Sequence, residues 1–231
     1  MTILFTLITI GFGSMVLLSA QHGNRARERA KYINGYRFPG KIKLSVQQRY
    51  PHLDEHQVEQ VIEQLREYFH IYNQSGKEFV SMPSEAVDTA WHEFILFTQK
   101  YALFCQQAFG RFLHHTPAEG MAKPDLAQKG IKNAWRLACI RANINPLSPV
   151  KLPMLFAIDS LYNIEGGHVY QLDCQLGMKS AAANTYCVTH AMTSKTSCGS
   201  GCAGGCGNGN GSAGDGCSSG CSSGCGGGCG S

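Results

Sequence analysis

The sequence predicts an all-α fold, with one compact helical domain between an N-terminal transmembrane helix and a disordered tail of Gly, Cys and Ser. Apolar residues recur at three- and four-residue steps through the centre of the chain, and no βαβ alternation or array of strands interrupts them. The two ends differ sharply from this centre in composition. We therefore expect a transmembrane signal-anchor over 1–20, a basic juxtamembrane linker over 21–44, a helical domain over 45–190 and a disordered tail over 191–231.

The net charge of the chain does not indicate nucleic-acid binding. The 231 residues carry a formal charge of +4, and much of it comes from residues 25–43, which contain seven Lys or Arg and one Glu. The central segment is close to neutral, and its length is enough to bury a core without disulfides or metals. We therefore expect an independently folding domain without a nucleic-acid partner.

The first twenty residues have the character of a membrane anchor. They contain no charged side chain and would form a helix about 30 Å long, which matches the hydrocarbon core of a bilayer. A cleaved signal peptide is the alternative, but no Lys or Arg precedes the apolar run, and Leu18 stands where cleavage after Ala20 needs a small residue. The basic cluster that follows should stay in the cytoplasm. We therefore expect a single-pass protein of the bacterial inner membrane, with its N-terminus outside and its main domain cytoplasmic.

Two helices are predicted in the first half of the domain. Asp54 and Gln57 form a capping-box pattern at the start of one helix, and Gly76 marks its end. The apolar stripe of this helix consists of Val58, Val61, Ile62, Leu65, Phe69 and Tyr72. A second helix should start near Ser84 and run unbroken to Phe112. Because it is rich in aromatic residues on all sides, we expect it to be the central, most buried helix.

The second half of the domain continues the helical pattern. A third helix is expected over 125–142, with Leu126, Ile131, Trp135, Ala138 and Ala142 facing inward. Gly130 inside it costs about 1 kcal/mol in helix propensity. Pro153 opens a short helix that Gly166 and Gly167 stop, and residues 168–174 form a short strand or an extended arm.

The residues best suited to chemistry lie in and just after the second helix. Asp88 and His92 are four residues apart and share one helical face, where a carboxylate can orient an imidazole or both can bind a metal. His114 and His115 follow at the end of this segment. Along a straight helix His114 would lie about 30 Å from His92, so a shared site needs a bend in the chain.

A structural interpretation of these residues stays open beside the metal or catalytic one. Asp88 would then cap or pair near the start of the helix, His92 would make a buried polar contact, and Cys105 would belong to the core. Cys139 lies on an apolar face and is expected to be a buried thiol rather than a nucleophile. No set of catalytic residues can be assigned from the sequence.

One family resemblance accompanies these motifs. The segments MPSEAVDTAWHEFILFTQKYALFCQQAFGRFLHHTP, AWRLAC and LPMLFAIDSLYNIEGGHVYQLDC resemble bacterial members of the glycine-rich domain-containing protein family. The resemblance covers about residues 45–175, and Asp88, Trp91 and His92 match the VDxxWH motif of that family. It implies a shared helical fold and no particular activity.

The tail carries the most regular pattern in the sequence. Its cysteines fall into two groups with four-residue spacing: Cys198, Cys202 and Cys206, then Cys217, Cys221, Cys225 and Cys229. Thiolates on a Gly/Ser chain suit soft metals such as Zn or Cu(I). The tail could instead serve a protein partner or a modifying enzyme, or be a passive low-complexity repeat. A reducing cytosol disfavours a disulfide framework.

Three functional hypotheses follow from these observations. In the first, the anchored helical domain presents the thiol-rich tail for soft-metal binding or for a partner. In the second, Asp88 and His92, with His114 or His115, form a metal site or an enzyme active site. In the third, the protein is a structural adaptor with a passive tail.

Overall fold

A computed structural model describes residues 23–76, 78–115, 124–172 and 185–188, all within one compact unit, Met1–Lys195. These residues form seven helices and two short strands. In chain order they are α1 (23–35), α2 (Gly40–Arg49), α3 (Glu55–Ser75), α4 (Glu85–Ile95), α5 (Thr98–Phe109), α6 (Pro124–Arg141), α7 (Met154–Leu161), β1 (Val169–Gln171) and β2 (Thr185–Cys187). The prediction of a compact helical domain is confirmed.

The two strands form one small parallel ladder. Val169 lies opposite Thr185, and Gln171 lies opposite Cys187. The first strand falls within the expected extended segment, whereas the second was not predicted. Its three-residue length explains this, because so short a run carries no measurable alternation.

The predicted anchor over 1–20 and the tail over 191–231, with its seven cysteines, lie outside the described residues. Among the described helices, none combines the length and the apolar character that crossing a bilayer requires.

The helical domain begins earlier in the chain than predicted. Ile33 of α1 and Ile42 of α2 are fully buried in the same core as the later helices. The Arg66 guanidinium of α3 donates to the carbonyls of Ile33 (2.5 Å) and Tyr36 (2.9 Å), at and just after the last turn of α1. Much of the segment expected as a linker is therefore helical and tied to the domain.

Helix α3 is the central element of the fold. Its capping box forms as predicted, with the Gln57 amide donating to Asp54 Oδ1 at 2.7 Å and the Asp54 amide donating to Gln57 Oε1 at 2.9 Å. Gly76 follows its last turn with a φ of 66°, which favours glycine. Helix α3 packs against α2, α4, α5, α6 and α7. The central position expected for the second predicted helix thus belongs to α3.

The second predicted helix is broken into α4 and α5 at Leu96 and Phe97. The break lets aromatic side chains from both pieces meet around Phe69 of α3. The Phe104 ring lies 4.9 Å from Phe69 and 5.3 Å from Phe94, measured between centroids. Such aromatic pairs contribute about 0.5–1.5 kcal/mol beyond the burial of their area. Helix α5 then ends three residues before the predicted end.

Helix α6 contains a glycine whose absent side chain permits close packing. A Cβ on Gly130 would lie 2.2 Å from Ser81 Oγ and 2.7 Å from the Phe79 ring, so α6 approaches the 79–81 segment only because this residue is Gly. Trp135 and Ala138 are buried as predicted. Ala142 lies beyond the end of α6 and is exposed, so its predicted inward position is wrong.

Candidate metal centre

The first turn of α4 is fixed by two polar side chains. Ser84 is the N-cap, and its hydroxyl accepts a hydrogen bond from the Val87 amide at 3.2 Å and donates one to Asp159 at 2.6 Å. The Asp159 carboxylate, on α7, also accepts from the amides of Glu85 (2.7 Å) and Ala86 (3.3 Å). A carboxylate at a helix N-terminus satisfies free amides and complements the helix dipole. These hydrogen bonds fix the rotation of α4 about its own axis and its position along that axis relative to α7.

One turn further along, Asp88 and His92 lie together on the outer face of α4. Their four-residue spacing places His92 Nε2 3.7 Å from Asp88 Oδ2. The Asp88 side chain is 21% exposed and that of His92 is 52% exposed. The half-exposed imidazole therefore makes no buried polar contact, and Ser84 rather than Asp88 caps the helix. Asp88 does pair near the start of α4, as the structural interpretation allowed, because its carboxylate contacts the imidazoles of His92 and His115.

A turn after α5 brings His115 back to this face. Gly110 ends α5 in the left-handed region, with a φ of 70°. The Tyr101 hydroxyl then donates to the Leu113 carbonyl at 2.7 Å and accepts from the Trp91 indole N–H at 3.1 Å. The His115 imidazole packs edge-on against Trp91, with the ring centroids 4.5 Å apart. Residues 110–115 therefore form the bend that a site shared by the two ends of this segment needs.

Asp88, His92 and His115 form a compact cluster of possible metal ligands. His115 Nε2 lies 2.8 Å from Asp88 Oδ1, and His115 Nδ1 lies 3.4 Å from His92 Nε2. One donor atom from each residue lies within 4.8 Å of the other two. Donors about 2.0–2.1 Å from a tetrahedral zinc ion lie about 3.4 Å from one another. The two short contacts use opposite nitrogens of the His115 ring, so one of these side chains must reorient before all three residues can bind one ion.

The structure separates the two neighbouring histidines of the sequence motif. His115 joins Asp88 and His92, whereas His114 is exposed and contacts the Phe112 ring at 4.8 Å between centroids. Gly110, a common residue just after a helix end, was a sequence signal for the bend but not for which of the two histidines it brings back.

The surroundings of the cluster include a further carboxyl group. Glu85 is half-buried on α4, and burial raises the pKa of its carboxyl group, with the negative charge of Asp88 raising that pKa further. Among the described residues Glu85 makes no ion pair. The His168 and His92 imidazoles act in the opposite direction and lower the pKa of Glu85, so its surroundings hold charges of both signs.

The two cysteines with described side chains do not belong to the cluster. Cys105 and Cys139 are fully buried and free. Burial raises the pKa of both thiols, that of Cys139 to about 11. Their burial confirms the expectation that they are core residues. The raised pKa also disfavours the thiolate form that a nucleophile or metal ligand needs.

Asp159 is the polar residue that sequence reasoning missed. It is 3% exposed and belongs to a short, apolar helix, where a buried carboxylate needs several donors. The available signal was its position four residues after Leu155, on the same face of a helix that otherwise buries apolar side chains.

Comparison with known proteins gives one family and no relative of known structure. No curated protein and no solved structure matches the chain. A family model described as UCP032817-like matches residues 28–191, which include all seven helices from the second turn of α1 onward. The matched segment starts well before residue 45, in agreement with the early start of the folded domain. The chain therefore belongs to the UCP032817-like family.

Proposed function

We propose that the helical domain binds a divalent transition-metal ion through Asp88, His92 and His115. The observation that carries the proposal is the convergence of three donor groups from two separate elements. His92 and His115 are 23 residues apart in the chain, yet their ring nitrogens lie within 3.4 Å. An ion pair that merely ties residues 110–115 to α4 would use one imidazole, whereas here two imidazoles contact the same carboxylate.

The donor set favours zinc or a chemically similar ion over Cu(I). Imidazole nitrogen and carboxylate oxygen suit Zn²⁺ and other borderline divalent ions, whereas Cu(I) prefers thiolate and thioether sulfur. Three protein ligands leave one position of a tetrahedral ion open, as in catalytic zinc sites. Because His92 is half exposed, that position would face solvent. This arrangement also supports the enzyme hypothesis, in which the metal polarises a bound water.

Metal titration of the full-length chain tests this proposal. The seven tail cysteines, Cys198 to Cys229, are changed to Ser so that only the domain competes for the ion. Co²⁺, a coloured substitute for Zn²⁺, should then bind with one ion per chain and give a visible absorption band. His115→Ala should weaken binding at least about 100-fold, because it removes a ligand rather than a group behind one.

His114→Ala is the matched control, because it removes the neighbouring exposed histidine and leaves the cluster intact. It should bind Co²⁺ as the unsubstituted protein does. If neither protein takes up metal, or if the His115 and His114 variants bind equally well, the proposed site does not exist.

A second proposal concerns the tail and rests on its sequence alone. The four-residue spacing of its cysteines supports soft-metal binding, for Zn or Cu(I), while a protein partner and a passive tail remain the alternatives. Anaerobic Cu(I) titration distinguishes them. Uptake that depends on residues 198–231 supports the metal role, and an unchanged uptake after their deletion contradicts it.

The membrane location is likewise a proposal from the sequence. The uncharged segment over 1–20 and the basic residues after it favour an inner-membrane anchor with the domain in the cytoplasm. A reporter fused after Ser231 should be active only in the cytoplasm, and periplasmic activity would refute the orientation.

We also keep the resemblance to the glycine-rich domain-containing family as a hypothesis, supported by Asp88, Trp91 and His92 of the VDxxWH motif.

A further inference from the structure

We infer that Tyr101 is a positioning residue for the proposed metal site, acting on His115 through the backbone of Leu113. This inference rests on the proposed function. It assigns the third ligand's placement to a hydrogen-bonded chain that runs from Trp91 through Tyr101 to Leu113.

Each step of this chain is short and buried. The Trp91 indole N–H donates to the Tyr101 hydroxyl at 3.1 Å, and that hydroxyl donates to the Leu113 carbonyl at 2.7 Å. Trp91 is 3% exposed, Tyr101 1% and Leu113 6%. A buried hydrogen bond of this kind is costly to break, because the carbonyl and the indole would both lose their partner.

This series of hydrogen bonds connects the helix that carries Asp88 and His92 to the segment that carries His115. Trp91 directly precedes His92 and shares α4 with Asp88, while Leu113 is two residues before His115. Tyr101 therefore joins the element that carries two ligands to the segment that carries the other. The Trp91 ring also contacts the His115 imidazole, so the same side chain that starts the chain limits the rotation of the third ligand.

The backbone of His115 needs such support because it does not belong to a helix or strand whose hydrogen bonds would fix it. It follows the turn at Gly110 in an irregular segment. A ligand on an irregular segment binds metal tightly only if its position is set before the ion arrives. The Tyr101 hydroxyl supplies that restraint without contacting the ion.

The test compares Tyr101→Phe with Tyr68→Phe in the full-length chain with Ser at the seven tail positions. Tyr68 is also 1% exposed, but its hydroxyl donates to the Val80 carbonyl at 3.1 Å and not to the segment that carries His115. Both substitutions remove one buried hydroxyl that donates to a backbone carbonyl. Co²⁺ affinity and the visible spectrum of the complex are measured at a temperature where all proteins are folded.

Tyr101→Phe should lower Co²⁺ affinity about tenfold and change the absorption band, since groups behind a ligand typically alter affinity 10- to 100-fold. Tyr68→Phe should leave both unchanged. Equal changes in Co²⁺ affinity for the two variants, or no change in either, would overturn the inference. The proposed function would still stand in that case if the unsubstituted protein binds Co²⁺. If Tyr101→Phe does not fold, Trp91→Phe takes its place. It removes the indole donor, and unchanged Co²⁺ affinity in that variant would count against the inference.

Discussion

Replacing Asp159 with Asn tests how α4, and with it two of the proposed ligands, is held in place. The substitution keeps the shape of the side chain but replaces one carboxylate oxygen with an NH₂ group. Asp159 Oδ2 accepts from the amides of Glu85 at 2.7 Å and His168 at 3.0 Å, and Oδ1 accepts from Ser84 and Ala86. The Asn NH₂ fits best at the Oδ1 position, where the Ser84 hydroxyl can turn to accept from it, whereas the Ala86 amide there is a donor and loses its acceptor.

The structure allows the cost to be worked out. The Ala86 amide loses its acceptor, at about 1–3 kcal/mol. The negative charge near the N-terminus of α4 is also lost, at about 0.3–1 kcal/mol. Since Asp159 is 3% exposed, water does not replace the missing acceptor. We therefore expect Asp159→Asn to lower the free energy of unfolding by about 2–3 kcal/mol.

Asp54→Asn is the matched control for this substitution. Asp54 also accepts from a helix-terminal amide, that of Gln57, but it is exposed, and Asn is as good an N-cap as Asp. Urea unfolding followed by far-UV circular dichroism should show a loss of well under 1 kcal/mol for the control. Equal, small losses in the two variants would refute the role assigned to Asp159.

Two further predictions concern stability away from the site. Burial lowers the pKa of His70 to about 4, with a further lowering from the Arg141 charge, so the native state favours the neutral ring that hydrogen-bonds Asn34. The free energy of unfolding should be highest above the unfolded-state pKa of about 6.5 and should fall by up to about 3 kcal/mol as the pH drops from 6.5 through 4. In urea unfolding at several pH values, His70→Gln should flatten this part of the profile. An unchanged slope would contradict the assignment to His70. Gly130→Ala should destabilise the domain by about 1–2 kcal/mol despite its better helix propensity, because the new Cβ meets Ser81 and Phe79, whereas Gly40→Ala, with nothing within 4 Å, should cost nothing. Thermal melting of the two alanine variants checks this, and equal melting points would show that Gly130 is not needed for close packing.

Much of the helical fold could be predicted because caps and apolar stripes act locally. The capping box of Asp54 and Gln57 and the N-cap Ser84 are found where the sequence places them. The break between α4 and α5 could not be found in this way. Neither Leu96 nor Phe97 is a helix breaker, and aromatic residues continue at helical spacing on both sides. The break arises from packing around α3, which is a tertiary effect.

Helices α1 and α2 were missed for a different reason. Their exposed Arg and Lys residues resemble the charged flank of a membrane anchor, and this interpretation obscured the apolar positions between them. Ile33, Ile42 and Val46 are fully buried and were the available signal.

The candidate site was half predictable. Asp88 and His92 follow from helical spacing alone, since residues four apart share a face. The choice of His115 over His114 depends on the direction of the chain after Gly110 and on the hydrogen bond between Tyr101 and Leu113. Both are long-range features of the fold that neither spacing nor composition encodes.

The most direct test of the metal proposal is the ligand shell of a bound zinc ion, measured by X-ray absorption at the zinc edge. The sample is the full-length chain with Ser at the seven tail positions and one equivalent of Zn²⁺. We predict a shell of nitrogen and oxygen at about 2.0–2.1 Å, with the multiple-scattering pattern of two imidazoles and no sulfur at about 2.3 Å. A sulfur shell, or the pattern of fewer than two imidazoles, would contradict a centre built from Asp88, His92 and His115.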